Sequence, residues 1–277
     1  MSLWQLIKML GMILVGRRRY NKGMRGLRTA FLRRDTINAV LDAYRRGDYA
    51  SALQAAEAFK GNPELAASYF FFSGTMLMHL GRLQEAEQYL RRHLTVATDP
   101  KLTALANSSL GELLLEMQRY DEALECFETS LRHWPDRGSS HRDIAEAFLR
   151  RGGPTAEAVK WAQLAVKEDR SRDNPAGSSE AQEVYNTNLA EDLATLAWAV
   201  AEDSRDKAQV DRLVDEAVTL LGPASSPAAQ VHCHSGRAYL ALSDSRKSEH
   251  HFDEAARIDP NGLWGRSARA MTDRVNA

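Results

Sequence analysis

A pattern of small and large residues repeats along this chain at intervals of about 34 residues, and it constrains the fold more than any other feature. The alanine that opens the second half of each copy marks the period: Ala52, Ala86, Ala123 and Ala158. In the best copy, Leu105–Asp136, apolar residues recur at helical spacing on both sides of a short polar turn, which predicts a hairpin of two amphipathic helices. One such hairpin cannot bury its own apolar face, so the copies are expected to stack side by side.

Within the best copy, small residues stand where two helices would touch, at Gly111 and Ala123, and Pro135 ends the second helix. Bulky residues flank these positions: Leu110, Leu114, Tyr120, Phe127 and Leu131. The pattern recurs in the C-terminal part: Gly236, Tyr239, Phe252, Ala255 and Pro260. These residues resemble the tetratricopeptide repeat family. The resemblance implies an all-α fold, a right-handed α-solenoid of antiparallel helix pairs whose concave face binds peptides or partner helices.

The predicted organisation follows the strength of this repeat pattern along the chain. Residues 1–30 are expected to form an apolar and basic N-terminal helix, and residues 31–168 to hold four repeats. Residues 169–180 are polar and contain Pro and Gly, which predicts a loop. A degenerate repeat that lacks a turn glycine and a final repeat occupy residues 181–260, and residues 261–277 form an amphipathic capping helix. The arginines of this cap are expected to face water: Arg266, Arg269 and Arg274.

A net charge of −1 conceals a strongly basic N-terminal segment. Residues 1–34 contain nine Lys or Arg residues and no acid. An apolar run over residues 3–15 precedes most of these charges, and as a helix it would span only about 20 Å of a hydrocarbon core about 30 Å thick. The run is therefore too short to predict a transmembrane helix, although its arginines follow it in the order that keeps the body cytoplasmic.

Three interpretations of this segment stay open. It could be an interfacial or short membrane anchor that contacts an anionic surface through five residues: Trp4, Lys8, Arg17, Arg18 and Arg19. It could instead be an ordinary helix that packs against the first repeats or lies in their groove. A basic arm that binds nucleic acid is disfavoured, because phosphate binding leaves the apolar run unexplained.

The sequence offers no constellation of residues for catalysis. It contains no phosphate-binding glycine loop, nucleophile elbow or HExxH motif, and its two cysteines fit neither a disulfide framework nor a zinc ribbon. Five residues are a remote metal candidate: His232, Cys233, His234, His250 and His251. On a helix His232 and His234 point about 200° apart and cannot share one metal. The prediction is a non-enzymatic protein without catalytic residue, metal or cofactor, in a reducing compartment.

The resemblance also implies where a partner would bind, because in the family the first helix of each hairpin lines the concave groove. Carried onto this chain, that stripe comprises Ile37, Leu41, Tyr44, Phe71, Thr75, Met78, Glu112, Arg142 and Glu146. The stripe is apolar and aromatic in the first two repeats and charged afterwards. It favours an amphipathic helix or an apolar extended peptide, anchored by Tyr44, Phe71 and Met78. Occupation of the groove by residues 1–20, or simple packing between repeats, stays open.

The leading hypothesis is a protein–protein interaction adaptor that holds a peptide or partner helix in this groove, at the cytoplasmic face of a membrane. The runner-up is a soluble scaffold whose basic arm binds nucleic acid. A metal-dependent enzyme that uses the C-terminal histidines is a remote third.

Overall fold

The computed structural model describes residues 35–97, 100–135, 138–171, 179–221 and 226–275. All the α-helices and 3₁₀ turns of these ranges belong to one all-helical array. The N-terminal segment lies outside the described residues, and with it the predicted surface contacts of Trp4, Lys8, Arg17, Arg18 and Arg19. In the described ranges, no helix is both long enough and apolar enough to cross a bilayer.

Thirteen α-helices follow one another in the described part of the chain. They are α1 (35–45), α2 (Tyr49–Ala56), α3 (Ala66–His79), α4 (Leu83–Val96), α5 (Pro100–Glu116), α6 (Tyr120–His133), α7 (Gly138–Arg151), α8 (Thr155–Ser171), α9 (Ser179–Asp203), α10 (Lys207–Leu220), α11 (Ser226–Ala241), α12 (Ser245–Ile258) and α13 (Leu263–Val275). Two short 3₁₀ turns, Glu57–Phe59 and Pro63–Leu65, join α2 to α3.

The helices form six antiparallel hairpins, in which each odd-numbered helix from α1 to α11 packs against the helix that follows it. Odd-numbered helices also contact the next odd-numbered helix, as α5 contacts α7 and α9 contacts α11. They therefore form one inner layer, and α13 packs on α11 and α12. This architecture confirms the predicted α-solenoid of stacked helix pairs.

Close approach of the two helices in a hairpin depends on glycine. A Cβ at Gly111 would lie 2.4 Å from Cε1 of Phe127, and a Cβ at Gly236 would lie 2.6 Å from the ring of Phe252. These distances are too short for any side chain, so each glycine lets the ring of the facing helix seat against the backbone. Phe127 and Phe252 are fully buried as a result.

Each of the hairpin turns contains a residue in the left-handed conformation, which need not be glycine. In the first hairpin Gly47 adopts a φ of 70°, and the amide of Asp48 donates to the carbonyl of Ala43, which is the Schellman ending of a helix. In the degenerate fifth hairpin, Arg205 adopts the left-handed conformation with a φ of 55°. Its main-chain amide donates to the main-chain carbonyl of Val200. The fifth turn therefore forms although it contains no glycine.

Helices extend further into the predicted polar loop, residues 169–180, than expected. Helix α8 continues to Ser171, and α9 begins at Ser179 rather than near Leu189. Burial explains the first extension, because Asp169 is only 2% exposed in spite of its charge. The second extension carries Tyr185 against the core of hairpins four and five. The division of the chain into domains stays a prediction.

The last repeat returns to the first two and closes the superhelix. The hydroxyl of Tyr49 donates to Oδ1 of the buried Asp259 over 2.8 Å, although 210 residues separate them. Nη1 of Arg266 donates to the main-chain carbonyl of His79 over 2.9 Å. The expectation that Arg266 faces water is therefore wrong, because its guanidinium satisfies a helix-end carbonyl. Arg269 is exposed as expected, and the side chain of Arg274 lies outside the description.

Candidate binding cavities on the inner face

The first cavity opens on the inner face and has a volume of about 80 Å³. Residues from α1, α3, α5 and α7 form its walls, and Leu263 and Trp264 of α13 close it from the opposite side. Five of the nine predicted groove residues line it: Tyr44, Met78, Glu112, Arg142 and Glu146. The superhelix therefore brings together side chains that are about 100 residues apart in the sequence.

The other four predicted groove residues lie outside this lining. Ile37 packs beside Phe59 in a separate apolar cluster, and Leu41 is 37% exposed. Phe71 is half-buried with its ring 5.6 Å from the ring of His93. Thr75 is half-buried on α3. The predicted stripe is thus divided between the cavity and the outer part of the first two hairpins.

An aromatic stack around His79 forms one end of the first cavity. The ring of His79 lies parallel to that of Tyr49 at 4.5 Å and edge-on to that of Tyr44 at 5.2 Å. Burial and, to a smaller extent, the nearby charge of Arg266 lower the pKa of His79 to about 3. His79 is therefore neutral at physiological pH, and it serves as an aromatic spacer between the first hairpin and α13.

Buried ion pairs centred on Arg142 join the inner helices. Nη1 of Arg142 lies 2.9 Å from Oε2 of Glu191 and 3.1 Å from Oδ1 of Asp192, so α7 is tied to α9. Ser108 of α5 donates to Oδ2 of Asp143 over 2.9 Å. Burial raises the pKa of Asp192 well above its usual range, against the opposing charge of Arg142. Burial therefore disfavours the charged form of Asp192, and the guanidinium of Arg142 offsets only part of that effect.

A second group of buried charges continues the network from α5 to α11. Glu146 accepts from Nη1 of Arg150 over 3.3 Å and lies 3.6 Å from Nε2 of His234, while Arg150 also binds Glu116. Burial acts to raise the pKa of Glu146, but His234, Arg150 and Arg237 together lower it. The inner face between α5 and α11 is consequently polar and charged, and apolar side chains line the cavity near Tyr44 and Met78.

A second, larger cavity of about 360 Å³ lies where the C-terminal ends of α7, α9 and α11 face α13. Its lining combines apolar and cationic side chains, among them Leu149, Arg150, Trp198, Arg237, Leu240 and Met271. Sequence reasoning missed this site. The sequence indicates only helical packing for Trp198, and no spacing within one repeat places Arg237 beside Met271.

The C-terminal histidines fall into two separate environments. Nδ1 of His232 and Nδ1 of His251 are 2.9 Å apart, whereas His234 lies on the other side of α11 against Thr195 and Glu146. The opposite placement of His232 and His234 follows from their separation by two positions on a helix. In the described ranges, no group of three His, Cys, Asp or Glu side chains is arranged to hold a metal ion.

Comparison with known families agrees with the stacked hairpins. Residues 37–102 and 109–175 match the sequence model of the tetratricopeptide repeat. The chain belongs to the tetratricopeptide repeat family. Tetratricopeptide repeats bind protein partners and are in general non-catalytic, so the chain is a protein-interaction scaffold.

Three individual proteins illustrate the similarity. A segment of 115 residues, 39% of this chain, is 31% identical to the protein O-mannosyl-transferase Tmtc1 of Drosophila melanogaster, and the match spans only 13% of that protein. A thermophilic tetratricopeptide repeat protein of Thermus thermophilus, TTC0263, shares 17% identity, with 74% of this chain and 99% of that chain covered and a TM-score of 0.49. PilF of Pseudomonas aeruginosa shares 16% identity, with coverages of 87% and 98% and a TM-score of 0.48.

Proposed function

We propose that this protein is a non-enzymatic adaptor that holds a segment of a protein partner in the first cavity, at the cytoplasmic face of a membrane. One observation carries the first half of the proposal. Tyr44, Met78 and Glu112 come from three successive inner helices, and they line the same cavity together with Arg142 and Glu146. Inner helices that converge on one concave site are the arrangement by which a helical repeat array binds a peptide.

The size of the cavity favours an extended segment over a whole helix. About 80 Å³ is well below the range of roughly 300–1,000 Å³ that is typical of pockets for small ligands, so the cavity has room for a side chain but not for a helix. Leu263 and Trp264 already occupy the side of the groove opposite to α3 and α5. The partner therefore inserts one or two side chains past Tyr44 and Met78, and the rest of the segment stays outside.

Affinity capture with matched variants tests this assignment. Glu112→Gln replaces a carboxylate of the cavity lining by an amide of nearly the same size. Glu125→Gln makes the same replacement at an exposed position on α6. Proteins captured by the wild-type chain, identified by mass spectrometry, should be lost with Glu112→Gln and retained with Glu125→Gln. Capture that is equal with both variants would remove the cavity from the proposal.

A second pair of variants distinguishes the cavity from the longer predicted stripe. Tyr44→Ala enlarges the cavity, whereas Phe71→Ala truncates a half-buried ring outside it. If the partner occupies the cavity alone, Tyr44→Ala abolishes capture and Phe71→Ala preserves it. If both variants lose the partner while their thermal unfolding stays cooperative, the partner contacts the whole stripe.

The membrane part of the proposal is supported by the nine basic residues in positions 1–34 and by the apolar run among them. Basic residues at an anionic surface contribute about 1 kcal/mol each. Full-length protein should float with vesicles that contain phosphatidylserine and less with vesicles of phosphatidylcholine alone, and protein without residues 1–34 should float with neither. If the full-length chain stays in the soluble fraction with both kinds of vesicle, the membrane part of the proposal is wrong.

Nucleic acid is the second candidate ligand of the same segment, because its nine basic residues could contact phosphates. Binding of a labelled DNA duplex, followed by fluorescence anisotropy, should then weaken steeply as salt increases, because phosphate contacts release counterions. Duplex binding by residues 1–34 without vesicle flotation would replace the membrane assignment and leave the cavity assignment intact.

A further inference from the structure

The second cavity contains a buried cation without a direct counter-ion. Arg237 is only 9% exposed, and its guanidinium carbon lies 4.7 Å from the centre of the Trp198 ring. Its Nη2 donates to Oγ of Ser267 over 2.9 Å, while its Nε is buried and has no hydrogen-bond partner. Among the described residues, no carboxylate oxygen lies within 4.0 Å of this guanidinium.

The other charges around the cavity are already engaged. Arg150, which also lines it, binds Glu116 and Glu146. Glu146 additionally faces His234, and Glu202 at the exposed rim accepts from Nε1 of Trp198 over 3.2 Å. Arg237 is therefore the cation of this lining that lacks a direct carboxylate partner. A buried charge of this kind is costly unless it is paired.

We propose that the second cavity binds a carboxylate of a partner peptide, with Arg237 as its counter-ion. This deepens the proposed adaptor function and rests on it. Stacking on Trp198 and the hydrogen bond to Ser267 fix the plane of the guanidinium, so a carboxylate that enters the cavity meets a cation that is already oriented for a charge-assisted hydrogen bond. A neighbouring apolar side chain of the peptide packs against Leu240 and Met271, which line the same cavity.

The surrounding charges favour a carboxylate over a phosphate group. One unpaired guanidinium neutralises one negative charge, and Glu202 at the rim opposes a second. The carboxylate can come from an Asp or Glu side chain or from the C-terminus of the partner. Both sources present the same pair of oxygens to Arg237, and peptides with blocked and free ends distinguish them.

Calorimetric titration of the full chain with short peptides tests the inference. The probes are acetyl-Leu-Leu-Asp-Leu-amide, its Asn analogue, and acetyl-Leu-Leu-Leu-Leu with a free carboxyl group. At least one of the two acidic peptides should bind about tenfold more tightly than the Asn peptide, because a charge-assisted hydrogen bond is roughly twice as strong as a neutral one. Equal affinity for all three peptides, or no binding of any, overturns the inference.

Variants locate the binding site of the acidic peptide. Arg237→Gln should abolish the preference for acidic peptides, whereas Arg269→Gln, at an exposed position of α13, should keep it. Met271→Glu leaves Arg237 unchanged in the sequence and adds a carboxylate to the cavity lining, where it competes with the peptide for Arg237. This variant should also abolish the preference for acidic peptides. It keeps the inference testable if Arg237→Gln fails to fold. A preference that persists in Met271→Glu contradicts the inference.

The two proposals fail in different ways. If the partner captured by the wild-type chain is lost with Glu112→Gln but retained with Arg237→Gln and Met271→Glu, the adaptor function stands and the carboxylate site falls. If no partner is captured by the wild-type chain but acidic peptides still bind through Arg237, the carboxylate site stands without the first cavity.

Discussion

At the scale of single residues, burial decides the charge state of several histidines on which the packing depends. His79, His93 and His251 are buried in the aromatic and apolar interior, and burial lowers their pKa values to about 3, about 4 and about 3. For His251, the neighbouring His232 acts in the same direction as burial. Each of these rings packs as a neutral aromatic, so protonation opposes folding.

The pH dependence of stability should follow from these shifts. The folded-state pKa of each histidine lies below its unfolded value near 6.5, so their stabilisation is complete above pH 6.5 and is lost as the pH falls towards 4. For His79 alone the loss between pH 7 and pH 5 is about 2 kcal/mol. Urea unfolding of His79→Phe should show a correspondingly smaller loss between these pH values, whereas replacement of the exposed His133 by Phe should leave the loss unchanged. Identical pH dependence in both variants would refute this account.

Gly111 offers a second test at the residue scale. In Gly111→Ala, the new Cβ would meet the Phe127 ring at 2.4 Å, and the fully buried ring has no free space to move into. Overpacking of this kind costs about 1–3 kcal/mol. Glu128→Ala, at an exposed position on the facing helix, should change the free energy of unfolding by less than about 0.5 kcal/mol. Equal stability of the two variants in urea would show that the hairpin can open without cost.

At the scale of helices, neighbouring hairpins are joined by buried charges as well as by apolar contacts. Arg142 of α7 reaches Glu191 and Asp192 of α9, and Arg150 of α7 reaches Glu116 of α5. These pairs lie on the inner face, where an array that binds a peptide would be expected to expose side chains. They specify which helix follows which, since a wrong neighbour would leave a charge buried without a partner.

Removal of Arg142 should therefore be severe. Arg142→Met leaves the carboxylates of Glu191 and Asp192 buried without their cation, and loss of one partner of a buried pair costs about 3–5 kcal/mol. Urea unfolding measures the change, and Arg212→Met, at an exposed position of α10, is the matched control. Asp192→Leu in the Arg142→Met background should recover part of the loss. A single Arg142→Met variant as stable as the wild type would show that the network is not stabilising.

The positions of most helices could be predicted from the sequence, because apolar periodicity marks helices that bury one face. The prediction was less accurate where that periodicity weakens. Helix α9 begins at Ser179, about three turns before the apolar residues that indicated it. The fifth turn lacks glycine and was interpreted as degenerate, although Arg205 adopts the required left-handed conformation. Packing against α8 and α11 supplies what local propensity lacks there.

At the scale of the whole molecule, the superhelix closes on itself. The bond from Tyr49 to Asp259 and the bond from Arg266 to the carbonyl of His79 join the first two hairpins to the last. The closure places Leu263 and Trp264 in the groove and limits its volume. The size of the first cavity is therefore set by contacts between residues near opposite ends of the described chain.

Weakening this closure should expand the molecule. Tyr49→Phe combined with Arg266→Ala removes both bonds, and small-angle X-ray scattering should then report a larger radius of gyration. Tyr49→Phe alone leaves a buried oxygen of Asp259 without its donor and should cost about 1–3 kcal/mol. The control pair, Tyr185→Phe with Arg212→Ala, alters a half-buried ring and an exposed arginine of α10 away from the closure. An unchanged radius in the first pair would mean that apolar packing alone closes the superhelix.

The candidate site divides in the same way between what could be predicted and what could not. Five of the nine predicted groove residues meet in one cavity, because the stripe on each inner helix is a local property that repeats with the period of the array. The opposite wall, Leu263 and Trp264, and the unpaired Arg237 of the second cavity belong to later repeats. No pattern within one repeat relates these residues to α1 or α7.

The sequence by itself determined the all-helical fold, the hairpin unit and the inner stripe, since helix periodicity and the small residues at helix crossings are local features. The tertiary structure alone decided how far the superhelix turns, which carboxylate each buried arginine meets, and that the final helix occupies part of the groove. These outcomes depend on small rotations between neighbouring hairpins that accumulate over the whole array. The repeat period in the sequence predicts the helical hairpin, whereas the contact between the first and last hairpins appears only in the stacked array.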